Sequence, residues 1–337
     1  MGRVMLLSDP KLRYGLRVTL TPWFVFVSGL VIGWKLSFVG AVLTSLFILS
    51  PKPVPVKYAM KLIAVAYIYM IGSWYLFATM RLYPIATLLT IFVVVSLSYK
   101  ILVVKKDILT VVMALLGALL IPLLMKSNPD IAWDLAVWLP NNLLIAWIVS
   151  SVVFYLLPPD DATSTAKSPP SFDESRRWLR LSVAFLPFVA FSFITDNVSA
   201  FTLTYIAVQI TQFAANSSNS SKMIKDAIVG NIMGGLMAVI VYEIAVIAPF
   251  LPLVALTLLV CYALLSQQLL KGSPLAPTAM TAFTVVCGVS FGPIMNDAEG
   301  KIIVRLTQIA FAMAYIFIAM LFVDRFISEK KSNENNA

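Results

Sequence analysis

Long apolar runs alternate with short polar breaks along the whole chain, and most runs are long enough to cross a bilayer as helices. Cut at those breaks, the pattern predicts twelve helical spans. They fall at about residues 15–34, 37–50, 58–79, 82–98, 107–125, 133–157, 178–195, 198–213, 224–246, 248–268, 275–293 and 302–323, the second and eighth being short. Twelve spans of roughly 20 residues use about 240 positions. In a chain of 337 residues that leaves no room for a soluble catalytic domain.

The one substantial polar break, rich in Pro, Ser, Asp and Thr, runs from Pro158 to Arg177 and reads as a flexible cytoplasmic linker close to the chain midpoint. A common offset sets Arg180 on Arg17, Phe201 on Phe38, Met223 on Met60 and Gly235 on Gly72. The expected fold is therefore an all-α polytopic membrane protein of about twelve helices in two six-span halves. These are residues 1–157 and 178–323, with a cytoplasmic tail over 324–337. Because each half has an even number of spans, the halves are expected as parallel repeats related by an axis along the membrane normal.

Charge adds orientation. With the N-terminus inside, all but five of the 25 basic residues fall on the cytoplasmic side, the five being Lys35, Arg81, Lys126, Lys301 and Arg305. Both termini are expected to be cytoplasmic. This placement explains the net charge of +9 without nucleic acid. The basic N-terminus runs straight into a full-length span with no small-residue cleavage site, so the first span is expected to be an anchor. Two adjacent sequons, at Asn216 and Asn219, fall in an expected cytoplasmic loop and read as a polar turn.

Composition narrows the chemistry. The chain is 60% hydrophobic and 12% charged, contains no histidine, and has a mean hydropathy of +0.90. Without histidine there is no Ser/His or Cys/His nucleophile and no His-ligated metal or haem. Cys261 and Cys287 lie in separate apolar segments and read as small buried hydrophobes. Neither enzyme activity nor a cofactor is expected.

The polar residues inside spans are the candidate functional groups. Pro22 and Pro187 interrupt the first and seventh spans at nearly equivalent positions, each freeing a carbonyl; each is equally well an ordinary packing kink. Asn141 and Asn142 follow Pro140 in span six, where two carboxamides need partners, either across a helix interface or in a cavity. Thr278, Thr281 and Thr284 recur on one side of span eleven, and Thr202, Thr204, Gln209, Thr211 and Gln212 enrich span eight. These can line a polar path, or the threonines can bond back to their own helices. Gly230, Gly234 and Gly235 give span nine the spacing that lets helices approach closely. Asp226 sits at the inner end of that span, where a helix N-terminus suits it. Glu243 is the acidic residue deep in an apolar run, so burial would suit it to proton exchange. Asp134 and Asp196 fall at outer ends within reach of water, and Arg305, one turn inside span twelve, can pair with one of them.

Leu16-Arg17-Val18-Thr19-Leu20, Ala41-Val42-Leu43-Thr44 and Lys225 to Gly235 are three local patterns that together resemble the fusaric acid resistance and aromatic acid exporter family of bacterial inner-membrane proteins. The first, echoed by Leu179-Arg180-Leu181, resembles that family's opening of the first span. The second is similar to its short second span, and the third to its basic residue followed by spaced glycines. The chain departs from the family in having Gly40 where a tryptophan is usual, and in lacking large cytoplasmic domains. The resemblance implies proton-driven efflux of small aromatic or other organic anions, with a periplasmic membrane-fusion adaptor. In that scheme Arg17 and Arg180 attract the anion at the cytoplasmic mouth, Asn141, Asn142, Thr278 and Thr281 line the route, and Glu243 or Asp226 carries the returning proton. A passive anion channel and a non-transporting subunit that anchors an adaptor are the alternatives; a homo-oligomer is compatible with each.

Overall fold

The computed structural model of the chain describes residues 9–105, 108–159, 177–195 and 220–291, together with Tyr315 and Ile318. Among these residues it is all-helical, without a strand. The helices are α1 (Pro10–Ile32), α2 (Ser37–Ile48), α3 (Val56–Met80), α4 (Pro84–Lys105), α5 (Ile108–Leu115), α6 (Ile121–Ser127), α7 (Pro129–Leu156), α8 (Arg177–Thr195), α9 (Ser220–Ile247), α10 (Leu251–Leu270) and α11 (Ala276–Phe291). A π-helical turn, Leu116–Leu120, joins α5 to α6 as one span. Seven described helices are long and apolar enough to cross a bilayer, the make-up of a multi-pass membrane protein. Ten of the expected spans have counterparts in these helices. The eighth lies outside the described residues, as does the twelfth apart from Tyr315 and Ile318.

Local chemistry sets the helix limits. Asp9 caps α1 by accepting from the Lys11 N–H at 2.9 Å, ahead of Pro10 at the first helical position. Gly33 ends the helix at φ 72°, its N–H returning to the Gly29 carbonyl. Leu36 then adopts φ 58°, a left-handed conformation that costs a branched residue energy and that the surrounding structure must hold. Asn128 starts α7 by accepting from the N–H groups of Asp130 and Ile131. Most helices are apolar all round. On α4, Ile91, Val95, Tyr99 and Leu102 are buried at helical spacings of three and four, while Ile85, Leu89, Val93 and Leu97 are exposed at a spacing of four. A helix apolar on both its packed and its outward face has lipid as its solvent.

Side-chain contacts give the direction of each helix. Tyr67 of α3 meets Asn141 of α7, and Trp74 meets Trp133 at 4.8 Å between ring centroids, so α3 and α7 are antiparallel. Arg17 reaches Leu157 and Lys35 reaches Asp134, so α1 is antiparallel to α7 as well. Trp23 donates to the Ala255 carbonyl and Ser266 to the Gly15 carbonyl, which sets α10 antiparallel to α1 and ties the two halves of the chain together. Gly230 and Gly234 of α9 face Thr278 and Phe283 of α11 in the same sense, so these two are parallel. At twelve residues, α2 covers only about 18 Å, less than a hydrocarbon core of about 30 Å, so the residues that flank it complete the return from α1 to α3, which run the same way. The helix α2 is lodged in the bundle against α1, α7 and α11, with most of its residues buried.

Of the residues paired by the internal offset, Gly72 is exposed and Gly235 buried. Pro22 and Pro187, two positions off that register, also differ, the first being buried and the second exposed. The side chains of Arg180 and Met223, and Phe201 altogether, lie outside the described residues.

Candidate functional site

Arg17 lies about two turns into α1 and is 5% exposed. Its Nη1 donates to the Leu157 carbonyl at 2.8 Å, and its guanidinium carbon is 5.0 Å from the Phe154 ring centroid and 5.7 Å from that of Tyr14. Aromatic faces and a carbonyl oxygen are suitable neighbours for a cation withdrawn from water. One turn further on, Thr21 donates to the Arg17 carbonyl, and its neighbour Pro22 is packed into the core.

At the C-terminal end of α1, the turn into α2 is fastened to α7 through a single residue. The Lys35 carbonyl accepts from Asn142 Nδ2 at 3.2 Å, and its ammonium contacts both Asp134 carboxylate oxygens at 2.6 and 2.7 Å. Asn142 Nδ2 also donates to Trp138, so the amide is oriented by two carbonyls and its Oδ1 points the other way. That oxygen is buried with no hydrogen-bond partner. It faces Gly40, where an added Cβ would lie 2.7 Å away. The preceding carboxamide, Asn141, accepts from the Tyr67 hydroxyl at 2.5 Å. Pro140, just before the two amides, cannot donate to the Ala136 carbonyl, and α7 runs through it unbroken.

Beside this turn is a cavity of about 530 Å³ whose walls include Phe26, Trp34, Phe38, Ile131 and Phe291, with Lys35 and Asp134 supplying its charge. Aromatic walls with a few polar groups are the usual make-up of a small-molecule site. The cavity and the Arg17 cluster lie toward opposite ends of α1, with α2 packed against the helix between them.

The structure distributes the other expected site residues differently. Asn141 and Asn142 belong to this corner, both as interhelical hydrogen-bonding groups. Thr278 packs against α9 at Gly230. Thr281 donates to its own helix at Pro277, and Thr284 to Met280, which is the back-bonded alternative. Gly230 and Gly234 are the close-contact positions of α9, and Gly235 is buried beside them. Glu243 does not face the protein interior. It is exposed, on the outward stripe of α9 formed by Val229, Ile232, Leu236, Ile240 and Ile247, because its spacing from these residues turns it the same way. Asp226 is half-buried near the start of α9. Asp134 pairs with Lys35; Arg305 and Asp196, together with the polar residues of span eight, lie outside the described residues.

Sequence reasoning did not place Lys35, Trp34 or Tyr67 in a site. A signal existed for the first, since Lys35 is one of five basic residues on the side that the charge rule leaves sparse. For Tyr67 there was none, because a single tyrosine in an apolar span is ordinary. No family model matches the chain, and no curated protein or solved structure matches it.

Proposed function

We propose that this protein is a multi-pass transporter of the bacterial inner membrane that exports small aromatic or other amphipathic organic anions, with both termini cytoplasmic. In this reading it has about twelve spans in two parallel six-helix halves. The helix order supports that architecture: α3, α4 and the α5–α6 span of the first half are followed in the second by α9, α10 and α11, of similar length and order. The burial mismatch of Gly72 with Gly235 means that any such halves have diverged in packing.

The observation that carries the transport reading is the arrangement along the α1–α2 hairpin. A buried arginine between aromatic rings lies toward one end, a ligand-sized cavity at the other, and the short helix α2 lies beside them. Arg17 suits capture of an anion with an apolar body. The cavity's charge is already balanced between Lys35 and Asp134, which makes it a weak anion site and suits release. Such an asymmetry favours export when Arg17 faces the cytoplasm, as the positive-inside rule requires. Access to Arg17 then needs the first turns of α1 to part from Leu157. Arg180 is assigned the matching role in the second half, and Asp226 or Glu243 returns the proton. A periplasmic adaptor completes the export path.

The test is anion transport into inverted membrane vesicles carrying the protein. Arg17→Ala combined with Arg180→Ala is expected to reduce gradient-driven uptake at least about tenfold while leaving insertion intact, and unchanged uptake removes the anion role. Glu243→Gln and Asp226→Asn, measured separately with the gradient present and collapsed, identify the proton carrier as the variant that loses only the gradient-dependent part.

A further inference from the structure

We infer that the cavity beside the α1–α2 turn is a binding site for a small amphipathic zwitterion, one with an apolar or aromatic body and an ammonium and a carboxylate on the same carbon. This goes beyond anion export and stands on the cavity's own geometry. Lys35 and Asp134 meet at 2.6 Å with side chains 53% and 36% exposed, so each is reachable by a ligand. Both line the cavity of about 530 Å³, together with Phe26, Trp34, Phe38 and Phe291. Trp34 also lines this cavity, and its indole N–H is buried with no partner.

Charge balance selects the ligand. An anion that took Lys35 would strip it from Asp134 and leave two negative charges side by side, and a cation that took Asp134 would do the converse. A ligand carrying both charges gives each residue a new partner, its carboxylate on Lys35 and its ammonium on Asp134. Because the two protein charges touch, the ligand's charges must also be close. That fits a single bridging carbon and excludes a long zwitterionic headgroup, while the four aromatic rings suit an apolar side chain of moderate size.

Equilibrium dialysis of the purified full chain in detergent against radiolabelled L-phenylalanine tests the inference. Saturable binding is expected, with 3-phenylpropanoate and phenethylamine, which each keep one of the two charges, competing at least about tenfold more weakly. Lys35→Met and Asp134→Asn are each expected to lower phenylalanine affinity by about tenfold while eluting from a sizing column as the parent does. Equal competition by 3-phenylpropanoate on the unmodified protein would overturn the zwitterion assignment. So would unchanged phenylalanine affinity in either variant.

Discussion

The α9–α11 contact and the corner where α1, α2 and α7 meet both depend on glycine, yet they are held together by opposite means. On α9, a Cβ at Gly234 would lie 2.2 Å from the Ala279 carbonyl oxygen and 2.8 Å from the Phe283 nitrogen, so backbone rests directly on backbone. In the corner, Gly40 makes room for the Asn142 amide, and Lys35 ties the turn to α7 through both its carbonyl and its ammonium. Lipid provides no hydrophobic drive for helices to associate, so close packing and hydrogen bonds must hold them. The α9–α11 pair relies on the first and has no room to move. The corner relies on the second, carries a left-handed leucine at Leu36 and borders a cavity, so it has the features of a place that changes shape.

The strongest way to break this contrast is Gly234→Leu. No side-chain rotation can clear a backbone carbonyl, so α9 and α11 must separate. The expected loss is about 3 kcal/mol or more, seen as a lower melting temperature in detergent and a poor yield of monodisperse protein. Asn142→Leu should cost less, about 1–2 kcal/mol, because it removes the bonds to Lys35 and Trp138 but also the unpartnered Oδ1. If the proposed transport holds, its larger effect should be on that activity, through release of the turn. A loss of stability equal to that of Gly234→Leu would place the corner among the rigid contacts. Gly72→Ala sharpens the comparison from the other side. Gly72 is exposed, with nothing within 4 Å of an added Cβ, so a helical alanine there should raise stability by about 0.5–1 kcal/mol. The same melting measurement checks it.

The two regions also differ in how far the sequence discloses them. Spacing alone marks Gly230 and Gly234 as a contact surface, since GxxxG geometry is local to one helix. Asn141 and Asn142 stand out because carboxamides are costly in a membrane span, and that cost says they need partners without saying which. Their partners, Tyr67 and the Lys35 carbonyl, lie 74 and 107 positions away, beyond any periodic signal. The same limit applies to Glu243: its rarity in an apolar run was legible, but the rotation of α9 that turns it outward is set by which face α11 covers. The burial of α2 was hidden for a related reason, because a short apolar run reads alike as a weak span and as a helix enclosed by three others. Helix starts carried a local signal in Asp9-Pro10 and Asn128-Pro129, yet cutting the chain by hydropathy set the first and sixth spans at 15 and 133, later than the Pro10 and Pro129 starts of α1 and α7, because apolar content and not capping drew those limits.

The smallest expected stability effect is at Lys35, and it separates the fastening role of this residue from bulk packing. Lys35→Met removes the ion pair to Asp134 and leaves the backbone carbonyl bonded to Asn142. Both charged groups reach solvent at 53% and 36% exposure, so water takes over most of what the pair supplies, and the cost should be under about 1 kcal/mol. Added salt should shrink even that difference, because screening weakens the pair in the parent protein and has no pair to act on in the variant. Melting curves of both proteins across a salt series therefore converge if Lys35 holds the turn through an exposed charge. A salt-independent drop as large as that of Asn142→Leu would instead mean that the lysine stem packs as part of the core, and would move the outer end of the corner into the same class as the α9–α11 contact.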